Sequence, residues 1–188
     1  MAGWDHFDII APLYDRLIPL RKPEILIDLL ELPVSGPLLD AGGGTGRVAQ
    51  TLRGLASHII VADLSMEMLR QGIKKDGTRQ VCSHSERLPF PDGCFERIIM
   101  VDALHHVYNH QETASELWRV LRPEGKIVIE EPDIRRYVVK VIALLEKLAM
   151  MRSHFISPRH IATLFPNPKA EIEIVKEGFN AWVIVNKK

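Results

Sequence analysis

The chain has almost no cysteine: Cys82 and Cys94 are the only two in 188 residues. Two thiols cannot build a disulfide framework, and lone ones do not make a zinc site, so both read as reduced. Charge of one sign is missing as well. The 24 Lys and Arg balance 24 Asp and Glu, which favours neither nucleic acid nor an anionic membrane surface as a partner. No apolar run approaches the ~20 residues that a membrane-spanning helix needs. The opening MAGWDHFD carries acids where a signal peptide carries bases, and no apolar core follows it. With no internal repeat and no low-complexity tract, the expectation is one cytoplasmic domain over 1–188, long enough for a sizeable core.

What is present is an alternation of short β-rich runs with helical patterns, the mark of a parallel sheet covered on both faces. Strands are expected at 37–42, 58–64, 78–84, 95–104 and 126–131, the fourth nearly all apolar as a central strand should be. Helices are expected at 48–56, at 65–75 with Ser65 as cap and Glu67 in the first turn, and at 113–121 with Leu117, Val120 and Leu121 on one stripe. EIEIVKEG and FNAWVIVN close the chain. So little chain separates them that they must pair as an antiparallel hairpin, because a parallel return needs a crossover of about a dozen residues.

Two parts stand outside the alternation: an N-terminal helical region at 7–32 and an insertion at 134–165 before the hairpin. The insertion begins with a helix near 134–151 that is apolar on several sides, which suits burial, an interface or a pocket cover. Met150, Met151 and Phe155 would suit an apolar or aromatic substrate. Core packing or a homodimer contact accounts for them equally simply. Arg135, Arg136 and Lys140 could meet an acidic substrate group, or form a solvated basic face.

The segment LLDAGGGTGRVAQTL, residues 38–52, places an acid before four glycines in five positions. A dinucleotide fingerprint needs G-x-G-x-x-G. Counted from Gly42 its third glycine falls on Arg47, and counted from Gly44 it falls on Ala49. A phosphate loop fails too, since no Gly-Lys-Ser/Thr follows. What fits is D-x-G-x-G-x-G, at Asp40, Gly42, Gly44 and Gly46, in a strand-loop-helix setting. Glycines there let bare backbone approach a ligand with no phosphate to be gripped, while the acid holds the loop or meets a cationic group. Asp63, at the end of IIVAD, can accept from both hydroxyls of a ribose, as it could in a nicotinamide enzyme.

This spacing resembles motif I of the class I S-adenosylmethionine-dependent methyltransferases. SHSERLPFPDGCFERI is similar to that family's adenine-pocket segment, and LWRVLRPEGKIVIEEPD to its signature before strand five. FDIIAPLYDRL resembles the N-terminal pattern of the ubiquinone/menaquinone-biosynthesis C-methyltransferase branch. The resemblance implies an α/β fold: a Rossmann-like sheet of seven strands, mostly parallel with a C-terminal antiparallel hairpin, and helices on both faces. It implies S-adenosylmethionine as cofactor, held by Tyr14, Asp40, Ala41, Gly42, Gly44, Thr45, Gly46, Asp63, Leu64, His84, Ser85, Asp102 and Ala103. The implied activity is methyl transfer to a small-molecule acceptor.

The chain departs from the family pattern twice. His84 stands where an acid usually accepts from the adenine amino group; a neutral imidazole can still accept one bond, a protonated one cannot. The turn usually written Pro-Gly-Gly is Pro-Glu-Gly here, which suggests a type I turn with Gly125 at positive φ.

Methyl transfer from a sulfonium mainly needs alignment and exclusion of water. A general base is required only where the nucleophile holds its proton. In VDALHHVYNH, just after the fourth strand, His105 and His106 are the candidate catalytic residues. His106 and His110 lack a third ligand at convincing spacing, so no metal is expected. Two other readings stand: a methyltransferase-like module that binds without catalysis, and a nicotinamide-dependent oxidoreductase, which Arg47 and the closing hairpin disfavour.

Overall fold

A computed structural model describes residues 23–74, 76–132, 154–178 and 180–188. Tyr14, most of the N-terminal helical region and the helix expected at 134–151, with its Arg135, Arg136, Lys140, Met150 and Met151, lie outside the described residues.

The elements run α1 (Pro23–Leu30), β1 (Leu38–Ala41), α2 (Arg47–Thr51), β2 (Ile59–Asp63), α3 (Met66–Gly72), β3 (Thr78–Cys82) and β4 (Phe95–Val101). A 3₁₀ turn (Leu104–His106), α4 (His110–Val120), β5 (Leu121–Pro132), α5 (Pro158–Thr163), β6 (Ala170–Glu177) and β7 (Asn180–Lys187) follow. The seven strands form one sheet in the order β3-β2-β1-β4-β5-β7-β6. β3, β2, β1, β4 and β5 are parallel neighbours. β7 runs antiparallel to both β5 and β6, the hairpin that the short connection requires.

The period of two along each strand decides which residues face which helices. On β4, Ile98 and Met100 pack with Leu117 and Val120 of α4 on one face. Ile99 and Val101 pack with Leu26 and Leu30 of α1 and Val48 and Ala49 of α2 on the other. All seven residues of β4 are buried, Glu96 and Arg97 included, and the apolar run Ile98–Val101 follows from its central place between two helical layers.

Local chemistry sets the helix ends. Ser65 caps α3 by accepting from the Met68 amide, and the Asn109 side chain accepts from Gln111 and Glu112 at the start of α4. That cap starts α4 at His110 instead of Thr113. α2 ends at Thr51, short of the expected residue 56, and Gly54 beyond it sits at φ 81°.

β5 is longer than expected, because its pairing with β4 continues across an irregularity. Phe95 pairs with Leu121 and Arg97 with Lys126, so the Pro-Glu-Gly segment is accommodated as a bulge. The left-handed residue in that segment is Glu124, at φ 59°, and Gly125 is not left-handed. The expectation for Gly125 is therefore corrected. Gly125 is needed for space: an added Cβ would lie 2.7 Å from Leu121 Cδ1 and 2.8 Å from the Arg122 carbonyl oxygen.

Candidate active site

Gly42, Gly44 and Gly46 are all left-handed, at φ 68°, 55° and 69°. Gly46 is also the N-cap of α2, and having no side chain it cannot cap the helix itself. Asp40, from the adjoining strand, caps it instead. Its Oδ2 accepts from the Ala49 amide in the first turn at 3.3 Å. The carboxyl lies beneath Gly43, where an added Cβ would come within 2.5 Å of Asp40 Cγ. This explains the fourth glycine, which the motif does not require. The acid and the bare backbone share the bend because the strand supplies the helix cap that a left-handed residue cannot. Burial pushes Asp40 up to about 7 against the pull of the Ala49 amide and the Arg47 charge.

Asp63 closes the loop from β2. Its Oδ2 accepts from the Gly44 amide at 2.8 Å and its Oδ1 from the Ser65 amide at 2.8 Å. A carboxylate offers about four acceptor positions, enough to hold two amides and also meet a vicinal diol. Beside it, among the described residues, a Cβ placed on Gly44 would meet only Asp63 Oδ2 at 3.9 Å and Met68 Sδ at 4.0 Å. This is a cradle that any side chain at position 44 would fill. Leu64, next in sequence, is more than half exposed and offers an apolar surface beside the carboxylate. The Ser83 amide donates to the Asp63 carbonyl, and the Ser83 hydroxyl is buried with no hydrogen-bond partner among the described residues. Cradle, diol acceptor, apolar shelf and unpartnered hydroxyl fit S-adenosylmethionine.

Ala41 and Thr45 are buried, so their side chains support the loop and face away from its open side. Ala103 does the same for Gly42: a Cβ there would come within 2.6 Å of the Ala103 Cβ. Asp102 is left-handed at φ 52°, a conformation that costs a non-glycine residue ~1 kcal/mol. Its amide donates to the Glu130 carbonyl and its Oδ2 stands 3.9 Å from Arg47 Nη2. His84 is exposed, with Nδ1 3.9 Å from Glu86 Oε2. Glu86 Oε1 in turn accepts from the Tyr108 and Asn109 amides, tying the segment that carries His84 and Ser85 to the turn before α4.

The two histidines differ sharply. His105 is buried and its Nδ1 lies 2.5 Å from Glu131 Oε2. His106 has burial pushing it down to about 3, with the neighbouring His105 adding to the effect. It is neutral at pH 7 and a weak proton acceptor.

Sequence reading passed over the paired acids of IEEP. Glu130 Oε1 accepts from Asn180 at 2.6 Å and its Oε2 from the Trp182 indole at 2.9 Å. Burial pushes Glu130 up to about 7, and the Asp102 charge adds to it. Two consecutive acids closing an apolar strand were the available signal, since at that position at least one must face the interior. Ser83 gave none.

A methyltransferase-domain family matches residues 39–129. The chain is 30% identical over 155 residues to a demethylmenaquinone methyltransferase of Mycolicibacterium vanbaalenii, covering 82% of this chain and 65% of that relative. It is 28% identical over 204 residues to a ubiquinone/menaquinone biosynthesis C-methyltransferase of Methylococcus capsulatus, covering 92% of this chain and 82% of the relative. A SAM-dependent methyltransferase structure from Thermotoga maritima superposes with a TM-score of 0.82 at 20% identity, over 99% of this chain and all of the other. With the strand order, the glycine cradle and the Asp63 clasp, these likenesses make the chain similar to methyltransferases in sequence and alike in fold to a SAM-dependent one, while it spans 65% of the first of those relatives.

Proposed function

We propose that the chain transfers a methyl group to a small apolar or aromatic acceptor in the cytoplasm. The observation that carries this is the Asp63 carboxylate at 2.8 Å from the Gly44 amide, beside a cradle that any side chain would fill. The names of the relatives suggest a demethylated quinol ring as the acceptor class. Balanced charge on the chain supports a small molecule over nucleic acid.

When bound, S-adenosylmethionine supplies a sulfonium methyl already activated for in-line displacement. The chain's part is to align the acceptor and exclude water, which can account for ~7–11 kcal/mol of the barrier. The glycine loop and Asp63 hold the nucleoside end. Asp102 and Ala103 lie beyond the carboxyl ends of the strands, where ligands sit in a doubly wound sheet. His105 and His106 follow at the same end, and of the two His105 is the better placed to take a proton.

Calorimetry with S-adenosylmethionine and with NAD tests the binding half; binding of NAD alone would refute the reading. Transfer of labelled methyl to demethylmenaquinol and to a panel of metabolite extracts tests the rest. Binding without transfer to any of them would mark a non-catalytic module.

A further inference from the structure

Arg47 directly follows Gly46, so its side chain departs from the edge of the glycine cradle. That side chain is 12% exposed, and its Nε is buried with no hydrogen-bond partner among the described residues. A guanidinium keeps its charge in a protein, and a buried donor left unmatched is unfavourable. Its charge reaches three acids, Asp40, Asp102 and Glu130, yet none is bonded to it. Asp102 Oδ2 lies 3.9 Å from Nη2, outside hydrogen-bond range. Glu130 directs its two oxygens at Asn180 and Trp182. Asp40 gives Oδ2 to the Ala49 amide, and its Oδ1 is itself buried without a partner among the described residues. Burial pushes both Asp40 and Glu130 up to about 7, so neither fully balances the cation at neutral pH.

The fold sets this guanidinium against the loop from two directions. Asp102 and Ala103 continue from β4, the neighbour of β1. Ala103 lies against Gly42, where an added Cβ would come within 2.6 Å of its own. Arg47 from the end of the loop and Asp102 from the adjoining strand therefore present a cation and an anion side by side. A guanidinium and a carboxylate that served only each other would close to about 2.8 Å. Set apart as they are, they complement the two ends of an α-amino acid, which carries an ammonium and a carboxylate on one carbon.

We infer that Arg47 is a specificity-determining residue for the cofactor: its guanidinium takes the carboxylate of a zwitterionic amino-acid end, with Asp102 beside it for the ammonium. The inference rests on the S-adenosylmethionine reading and concerns the end of that ligand which the glycine loop and Asp63 do not hold. A planar fork of donors matches a carboxylate as a lysine's point charge does not. NAD and simple nucleosides carry no such end.

The test is calorimetry on the intact chain with S-adenosylmethionine, decarboxylated S-adenosylmethionine and methylthioadenosine. The second probe lacks the carboxylate and the third the whole amino-acid end. The wild type should bind S-adenosylmethionine about 10- to 100-fold more tightly than the decarboxylated compound. Equal affinity would overturn the inference and leave the cofactor reading in place, whereas no binding of any probe would remove both. Arg47→Met should erase the preference for the carboxylate with methylthioadenosine affinity unchanged. A preference that survives it, or an equal loss with all three probes, would show that Arg47 serves the fold alone. Should that variant not fold, Arg47→Lys should keep methylthioadenosine affinity and lose part of the preference. On the wild type itself, the nitrogen-15 signal of the Arg47 Nε–H should shift with S-adenosylmethionine and stay in place with methylthioadenosine. A signal that ignores S-adenosylmethionine would contradict the assignment.

Discussion

The Asp63 carboxylate and the Gly44 amide, 19 positions apart in the chain, meet at 2.8 Å. One side chain thereby ties the glycine loop to the end of β2, and on the proposed reading it also meets the ribose. Asp63→Ala should remove two charge-assisted hydrogen bonds to the nucleoside, of ~1.5–3 kcal/mol each. S-adenosylmethionine affinity should fall at least ~100-fold by calorimetry. Unchanged affinity would mean that Asp63 does not meet the ribose.

Gly43 and Gly44 are adjacent but constrained by different things, and their alanine variants should separate stability from binding. At Gly43 an added Cβ would lie 2.5 Å from Asp40 Cγ, an overpacking expected to cost ~1–3 kcal/mol in urea denaturation. At Gly44 the space is open but φ is 55°, so Gly44→Ala should cost ~1 kcal/mol of stability. The new methyl would occupy the cradle and abolish measurable cofactor binding. Equal loss of stability in the two, with binding retained in Gly44→Ala, would contradict the assignment of the cradle.

Asp40 should make stability depend on pH. In the folded chain it is raised to about 7 from an ordinary 3.8, so between those values the folded state holds a proton that the unfolded state has released. That contribution is complete below pH ~4 and is lost as pH rises towards 7, at up to ~1.4 kcal/mol per pH unit. Glu130, raised to about 7, acts in the same direction, whereas His106, lowered to about 3, gains stability up to its unfolded value. Asp40→Asn isolates the first effect. The difference in stability between wild type and variant should shift in favour of the variant from pH 4.5 to pH 7.5 in the absence of cofactor. A difference that stays constant across that range would show that Asp40 does not titrate there.

Glu124 occupies a left-handed conformation at φ 59° in the bulge of β5, far from the glycine loop. Glu124→Gly should raise stability by up to ~1 kcal/mol, the relief of strain being partly offset by glycine's flexibility in the unfolded chain. Thermal unfolding would show it as a Tm rise of a few degrees, with cofactor affinity unchanged. A lower Tm would mean that the bulge depends on the Glu124 side chain.

The sequence by itself determined the succession of strands along the chain and their parallel run, the Ser65 cap, the closing hairpin and the D-x-G-x-G-x-G bend. Each of these is governed by nearest neighbours: alternation over a few residues, a capping side chain three positions from its amide, a connection too short for a crossover. Tertiary structure alone decided what the acids do. Asp40 became a helix cap because the strand brings it under Gly43, and the Ser83 amide met the Asp63 carbonyl because β2 and β3 run side by side. Glu131 met His105 because parallel pairing puts the ends of β4 and β5 together, 26 residues apart in the chain. Burial keeps His106 neutral beside it. LHH could not show that difference, since a histidine's proton affinity depends on groups that reach it only through the fold.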